Sequence, residues 1–212
     1  MLAAGTLVDT VYKTLQDTRR VTWTEDEVLA YLNEALRATA GVKSDMYVVQ
    51  GFVTLVAGVS QTLPRDGVAF MDITHNQGTG RVVTQVDKAL LEEASRFWPG
   101  ATRQAEVEHY TFDPRYPLLY TVFPPNDGTG SVFLKYGAVP PELTTMYQEL
   151  EIPDSYQDPL INFTLLRCWS KNTKDQDLTK VAGCRQAWGQ ALGLKSQSLV
   201  AVAPKTAQSP GS

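Results

Sequence analysis

Apolar residues recur at helical spacing at both ends of the chain and at strand spacing between them. Near the start, Leu7, Val8, Val11 and Leu15 fall on one face of a 3.6-residue repeat. This predicts a helix from Thr6 to about Thr18 with Thr6 as its N-cap. Arg19 and Arg20 follow, where cations favour the end of a helix dipole; a phosphate clamp is the functional reading of the same pair. The second helix has a firmer start. Thr24-Glu25-Asp26-Glu27 has the form of a capping box, in which the Thr24 hydroxyl accepts from the Glu27 amide and Glu27 reaches back. Val28, Leu29, Leu32, Ala35 and Leu36 then make the buried face, and Gly41 is the expected stop.

From Met46 to Pro141 the pattern shortens to β runs separated by turn residues. Tyr47–Val56 is rich in β-branched and aromatic residues, and Ala57-Gly58 allows a tight reversal into Val59–Leu63. Val68–Thr74 and Arg81–Val86 flank Asn76-Gln77-Gly78-Thr79-Gly80, while Leu118–Phe123 and Ser131–Tyr136 flank Asn126-Asp127-Gly128-Thr129-Gly130. The shared Asn-x-Gly-Thr-Gly pattern suggests a phosphate cradle, but such a loop needs a helix behind it. A strand follows each time, so both are expected to be hairpin turns. Between them Asp87 caps a short helix, Phe97-Trp98-Pro99-Gly100 forms an aromatic cluster, and Glu108–Asp113 alternates as a strand.

Helical spacing returns after Pro153. Asp158-Pro159 reads as a cap and first-turn pair, with Ile161, Leu165 and Cys168 in one stripe widened by Leu166 and Trp169. Asn172–Asp177 is expected to turn the chain into a last helix carrying Val181, Cys184, Trp188, Ala191 and Leu192, with Gly193 as its stop. Residues 195–212 are polar apart from Leu199-Val200-Ala201-Val202. That tail is either plain disordered chain or a docking segment that orders on a partner. The expected class is α+β: terminal helices packed as one body, with a β-rich middle projecting from it. The expected divisions are 1–45, 46–152, 153–194 and 195–212.

Composition narrows the chemistry. With 212 residues, 43% apolar and 20% charged, one domain with a real core is expected. The net charge of −4 argues against a protein that coats nucleic acid, though not against a channel that nucleic acid passes through. No apolar run approaches the roughly 20 residues that span a bilayer, and no signal peptide or membrane partner is expected. Cys168 and Cys184 fit packing of two small residues on facing helices in a reducing compartment. Two histidines, His75 and His109, with no adjacent cysteines suggest no metal site, and no cofactor is expected. His109 and Asp113, four positions apart along a strand, are the one acid–base pairing, without a nucleophile motif. A hydrolytic enzyme built on them is the remote alternative.

Several short motifs occur in a familiar order. Trp23-Thr24 opens a helix running through Tyr31-Leu32-Asn33-Glu34-Ala35. Gln61-Thr62-Leu63-Pro64, Asp72-Ile73-Thr74-His75-Asn76, Phe112-Asp113-Pro114-Arg115 and Tyr120-Thr121-Val122-Phe123-Pro124-Pro125 follow. Cys168-Trp169-Ser170-Lys171-Asn172 precedes the last helix. From about Leu7 to Leu194 this set resembles tailed-bacteriophage head-to-tail adaptor (connector) proteins. The resemblance implies a non-enzymatic ring, commonly of twelve copies, in the virion neck between the portal protein above and a tail or nozzle protein below. DNA would pass through it without specific binding, and the chain would be made in the host cytoplasm. The resemblance also implies that the segment after Leu194 anchors to the portal, and Leu199, Val200, Ala201 and Val202 are the expected contacts. Phe97, Trp98, Tyr116 and Tyr147 are the aromatic candidates for the subunit or tail interface. Another neck or tail-completion protein is the alternative.

Overall fold

The computed structural model describes residues 2–94, 96–171 and 177–194. Its helices are α1 (Ala4–Leu15), α2 (Glu25–Val42), α3 (Lys88–Ala94), α4 (Gln157–Ser170) and α5 (Leu178–Ala191). Its strands are β1 (Leu2–Ala3), β2 (Val48–Thr54), β3 (Gly58–Thr62), β4 (Gly67–Asn76), β5 (Thr84–Gln85), β6 (His109–Phe112), β7 (Leu119–Asn126), β8 (Ser131–Ala138) and β9 (Glu149–Leu150). The chain is α+β, with helices at both ends and a β-rich middle.

Two hydrophobic cores follow from this order. The helical core gathers Leu7, Val8, Val11 and Tyr12 of α1, Val28, Leu32 and Leu36 of α2, and Leu160, Leu165 and Cys168 of α4. Met46, Leu143, Leu150 and Ile152 join it from the segments that leave and return. The second core lies between two sheets, ordered β2-β8-β4 and β3-β7-β6-β5. Leu55, Phe70, Ile73, Val132 and Leu134 meet Val107, Tyr110, Tyr120 and Val122 across it. Tyr47 packs against both cores.

α1 begins two residues earlier than its pattern suggests. Its start is held by a strand rather than by Thr6: β1 pairs antiparallel with β9, and the Ala4 amide donates to the Gln148 carbonyl at 3.0 Å. It ends at Leu15, with Gln16 in the left-handed region at φ 58°. The Thr24 capping box forms as expected, with both reciprocal bonds present. Gly41 does not stop α2, which continues to Val42. α4 starts at Gln157, after a 3-10 turn at Asp154–Tyr156, so Pro159 sits within the first turn, where amides lack helical partners anyway. Asp177 caps α5 by accepting from the Thr179 and Lys180 amides at 3.0 Å. Gly193 takes φ 68° beyond α5, as a left-handed stop requires.

The two Asn-x-Gly-Thr-Gly loops differ. At 76–80 the chain turns back on itself: the Asn76 amide donates to the Arg81 carbonyl, and His75 pairs antiparallel with Val82. At 126–130 it crosses from one sheet to the other, so the expected second hairpin is a corner. Ala57-Gly58 is likewise a corner, because β2 pairs with β8 and β3 with β7. Both loops are held because their asparagines turn inward. Asn76 donates to the Val107 carbonyl at 2.7 Å and accepts its amide at 2.9 Å. Asn126, fully buried, donates to the carbonyls of Gln104 and Ala105 and accepts from the Gly128 and Gly130 amides. Together they clamp residues 104–107 across the end of the sandwich. A Cβ on Gly130 would lie 2.0 Å from the Ala105 carbonyl oxygen, so only glycine fits there.

Candidate functional site

The helical body is locked by a junction between the α1–α2 connection and the end of α4. Asp17 accepts from the amides of Val21, Thr22 and Trp23, which folds that connection into a tight loop. Arg20, at φ 56°, pairs with Asp9 and Glu25 and lies over the Tyr12 ring at 4.9 Å. This binds the guanidinium within the chain, against the clamp reading. Trp23 is then set edge-on to Trp169, with centroids 5.6 Å apart, and its indole N–H donates to the Cys168 carbonyl at 3.1 Å. Lys171 completes the joint by donating to Glu27 at 2.8 Å and to the Thr22 carbonyl at 3.1 Å. This bond holds the Glu27 carboxyl below its usual range and raises Lys171 above its own.

The cysteines are free. Burial, with Glu27 adding, pushes the Cys168 thiol up to about 12, which keeps it protonated and unreactive. Cys184 is half-buried and lines a cleft of about 490 Å³ with Leu15, Asn162 and Trp169. Lys180 sits over the Trp169 ring there at 4.0 Å. α5 buries no residue fully. It leans on α4 through Trp188 against Phe163, at 5.4 Å, and on α2 through the Trp188 N–H to the Thr39 hydroxyl at 3.3 Å. Beside Trp188, α5 carries a cavity of about 450 Å³ lined also by Ala182, Arg185, Gln186, Gly189 and Leu194.

His109 and Asp113 are engaged separately. His109 Nδ1 lies 2.6 Å from the Thr84 hydroxyl, and its ring stacks on Phe123 with centroids 6.4 Å apart. Asp113 is bound by the Arg115 guanidinium at 2.7 Å, whose hydrogen bonds lower its carboxyl to about 2. Among the described residues, no group of three or more His, Cys, Asp or Glu is placed to hold a metal ion. No described helix is long and apolar enough to cross a membrane.

The four aromatic candidates divide. Phe97 is 86% exposed, Tyr147 93% and Tyr116 60%, whereas Trp98 is 5% exposed and packs against Phe123 on the outer face of β7. Tyr116 borders a mainly apolar groove of about 560 Å³ with Leu63, Pro64, Pro117 and Leu118. Leu199, Val200, Ala201 and Val202 lie outside the described residues, as does most of the Asn172–Asp177 turn. One surface went unnoticed in the sequence. On the outer face of β2-β8-β4, Phe52 meets Phe133 at 5.1 Å and His75 at 5.6 Å, and His75 stacks on Phe133 at 5.2 Å. The signal was there in the alternation of Val48, Gln50, Phe52 and Thr54, all exposed on one side.

Phe97, Tyr116, Tyr147 and Phe52 offer exposed aromatic area of the kind that protein interfaces use. Comparison with known proteins points the same way. The family model described as SU10 adaptor protein matches residues 3–210, and no match is found among curated proteins. Because the family match spans the helical body and the β sandwich alike, the chain belongs to the SU10 adaptor protein family, a family of structural head-to-tail adaptors of bacteriophages.

Proposed function

We propose that the chain works as a ring, of twelve copies, set in the virion neck between the portal protein and the next tail or nozzle component. The family match over residues 3–210 carries this reading. The helical body, with α5 as its least buried helix, supplies the portal side, and residues 195–212 leave from Leu194 beside it. In this reading Leu199, Val200, Ala201 and Val202 contact the portal. The β sandwich faces neighbouring copies and the tail, where Phe97, Tyr116 and Tyr147 offer exposed aromatic surface. An overall charge of −4 leaves DNA free to slide through the channel. Anchoring through a short segment repeated in every copy gains strength by multivalency. Co-purification with the portal protein tests the anchor: deletion of residues 195–212 abolishes it, and undiminished capture contradicts it.

A further inference from the structure

Among the described residues, the β sandwich is covered on one side only. On the outer face of the β3-β7-β6-β5 sheet, Phe123 is roofed by Trp98, which follows α3. The outer face of β2-β8-β4 has no such layer among the described residues. It presents the row Phe52, Phe133 and His75, with Phe52 47% exposed. Among the described residues its edge is open too. β2 pairs with β8 over seven residues without a register shift, and Val48, Gln50, Phe52 and Thr54 turn their backbone groups away from that ladder. This edge carries no proline, charge or bulge of the kind that blunts exposed strands. Lys135 stands on the same face, two residues from Phe133, exposed and in no ion pair among the described residues. Asp72, across from it on β4, instead accepts the Tyr110 hydroxyl at 2.6 Å.

The opposite side of the sandwich carries the complement. Phe97 projects beside the buried Trp98, and Leu90 and Glu93 lie one turn apart on α3, all three exposed. The other α3 acid, Glu92, pairs with Lys88 at 3.6 Å, whereas Glu93 makes no ion pair among the described residues. We propose that the bare aromatic face is the seat for a second copy of this chain, which inserts Phe97 and Leu90 against Phe52 and Phe133 and sets Glu93 against Lys135. The two surfaces are different patches on opposite sides of one molecule, so the contact is head-to-tail and passes from copy to copy, as ring closure demands. Aromatic anchors with a charge pair at their margin suit such an interface. The inference rests on the ring reading and names its lateral contact.

Charge exchange on the full-length chain, assembled on its portal protein and counted by mass photometry, tests it. Lys135→Glu and Glu93→Lys each weaken lateral assembly by about tenfold or more, because each sets like charges face to face. The double exchange restores assembly to near the wild-type level. Matching thermal melts establish that the single variants fold. In a Cys184→Ser background, Phe52→Cys with Phe97→Cys gives a ladder of covalent multimers on oxidation, only when the portal is present. Wild-type assembly by both single variants overturns the contact and leaves the ring reading standing, as does failure of the double exchange to recover together with absence of the ladder. A wild-type chain that reaches the portal without forming a ring overturns both.

Discussion

Trp23 and Cys168, 145 positions apart in sequence, are joined by a buried hydrogen bond: the indole N–H donates to the cysteine carbonyl at 3.1 Å. Each residue opens one of the short motifs by which the family is legible in sequence, Trp23-Thr24 and Cys168-Trp169-Ser170-Lys171. The bond brings the two motifs together in the fold. The α1–α2 loop and the end of α4 are two halves of one joint, with Trp23 against Trp169 and Glu27 against Lys171.

Removing the indole separates its packing from its bond. Trp23→Ala empties a buried site and lowers stability by about 3–5 kcal/mol. Trp23→Phe keeps most of the ring and loses the donor, for about 1 kcal/mol. Urea unfolding of both variants, followed by tryptophan fluorescence and far-ultraviolet circular dichroism, checks the order.

The Glu27–Lys171 pair gives the joint a pH signature. Glu27 is lowered in the folded state, so its contribution is fully present above its unfolded value and fades as pH falls through the folded one. Lys171 is raised, so its contribution holds below its unfolded value and fades as pH climbs through the folded one. Glu27→Gln therefore lowers the melting temperature at neutral pH, and its difference from wild type narrows below about pH 4. A difference that stays constant from pH 3 to 7 contradicts the assignment.

The two glycine-bearing loops give a paired contrast. A Cβ on Gly78 meets nothing within 4 Å, whereas one on Gly130 strikes the Ala105 carbonyl and the Asn126 amide. Gly78→Ala is expected within about 0.5 kcal/mol of wild type. Gly130→Ala forces the clamp open and costs about 3 kcal/mol or more. Asn76→Ala strands the Val107 amide and carbonyl and costs about 1–3 kcal/mol for each unpaired group. Thermal melts of the three variants side by side are sufficient.

His109 and Asp113 serve no reaction in this account. His109→Ala and Asp113→Asn leave portal binding and particle infectivity unchanged, and a hydrolase panel finds no turnover by the wild-type chain. Turnover abolished by His109→Ala contradicts it.

Local chemistry was the readable part of the fold. The Thr24 box, the Asp87 and Gly193 signals and the stripes of α2 and α4 depend on residues a few positions apart, and each forms where its pattern lies. What the sequence hid was the choice of distant partner. Asn76–Gly80 and Asn126–Gly130 share one turn pattern, yet the first doubles back on β4 through the His75–Val82 bridge before reaching β5 of the other sheet, and the second crosses directly, because β8 takes β2 and β4 as neighbours instead of β7. Phe97 and Trp98 are adjacent, and only the position of Phe123 decides which of them is buried. The bare Phe52–Phe133 face was hidden for the same reason, since its bareness depends on which sheet Trp98 covers.

As proposed, this chain forms the ring joining portal to tail. Electron cryomicroscopy of the virion neck is the decisive experiment. A twelve-copy ring is expected under the portal, with the helical body toward the portal and density for residues 195–212 running onto it. A neck in which this chain is absent, or bound as isolated copies away from the portal, contradicts it.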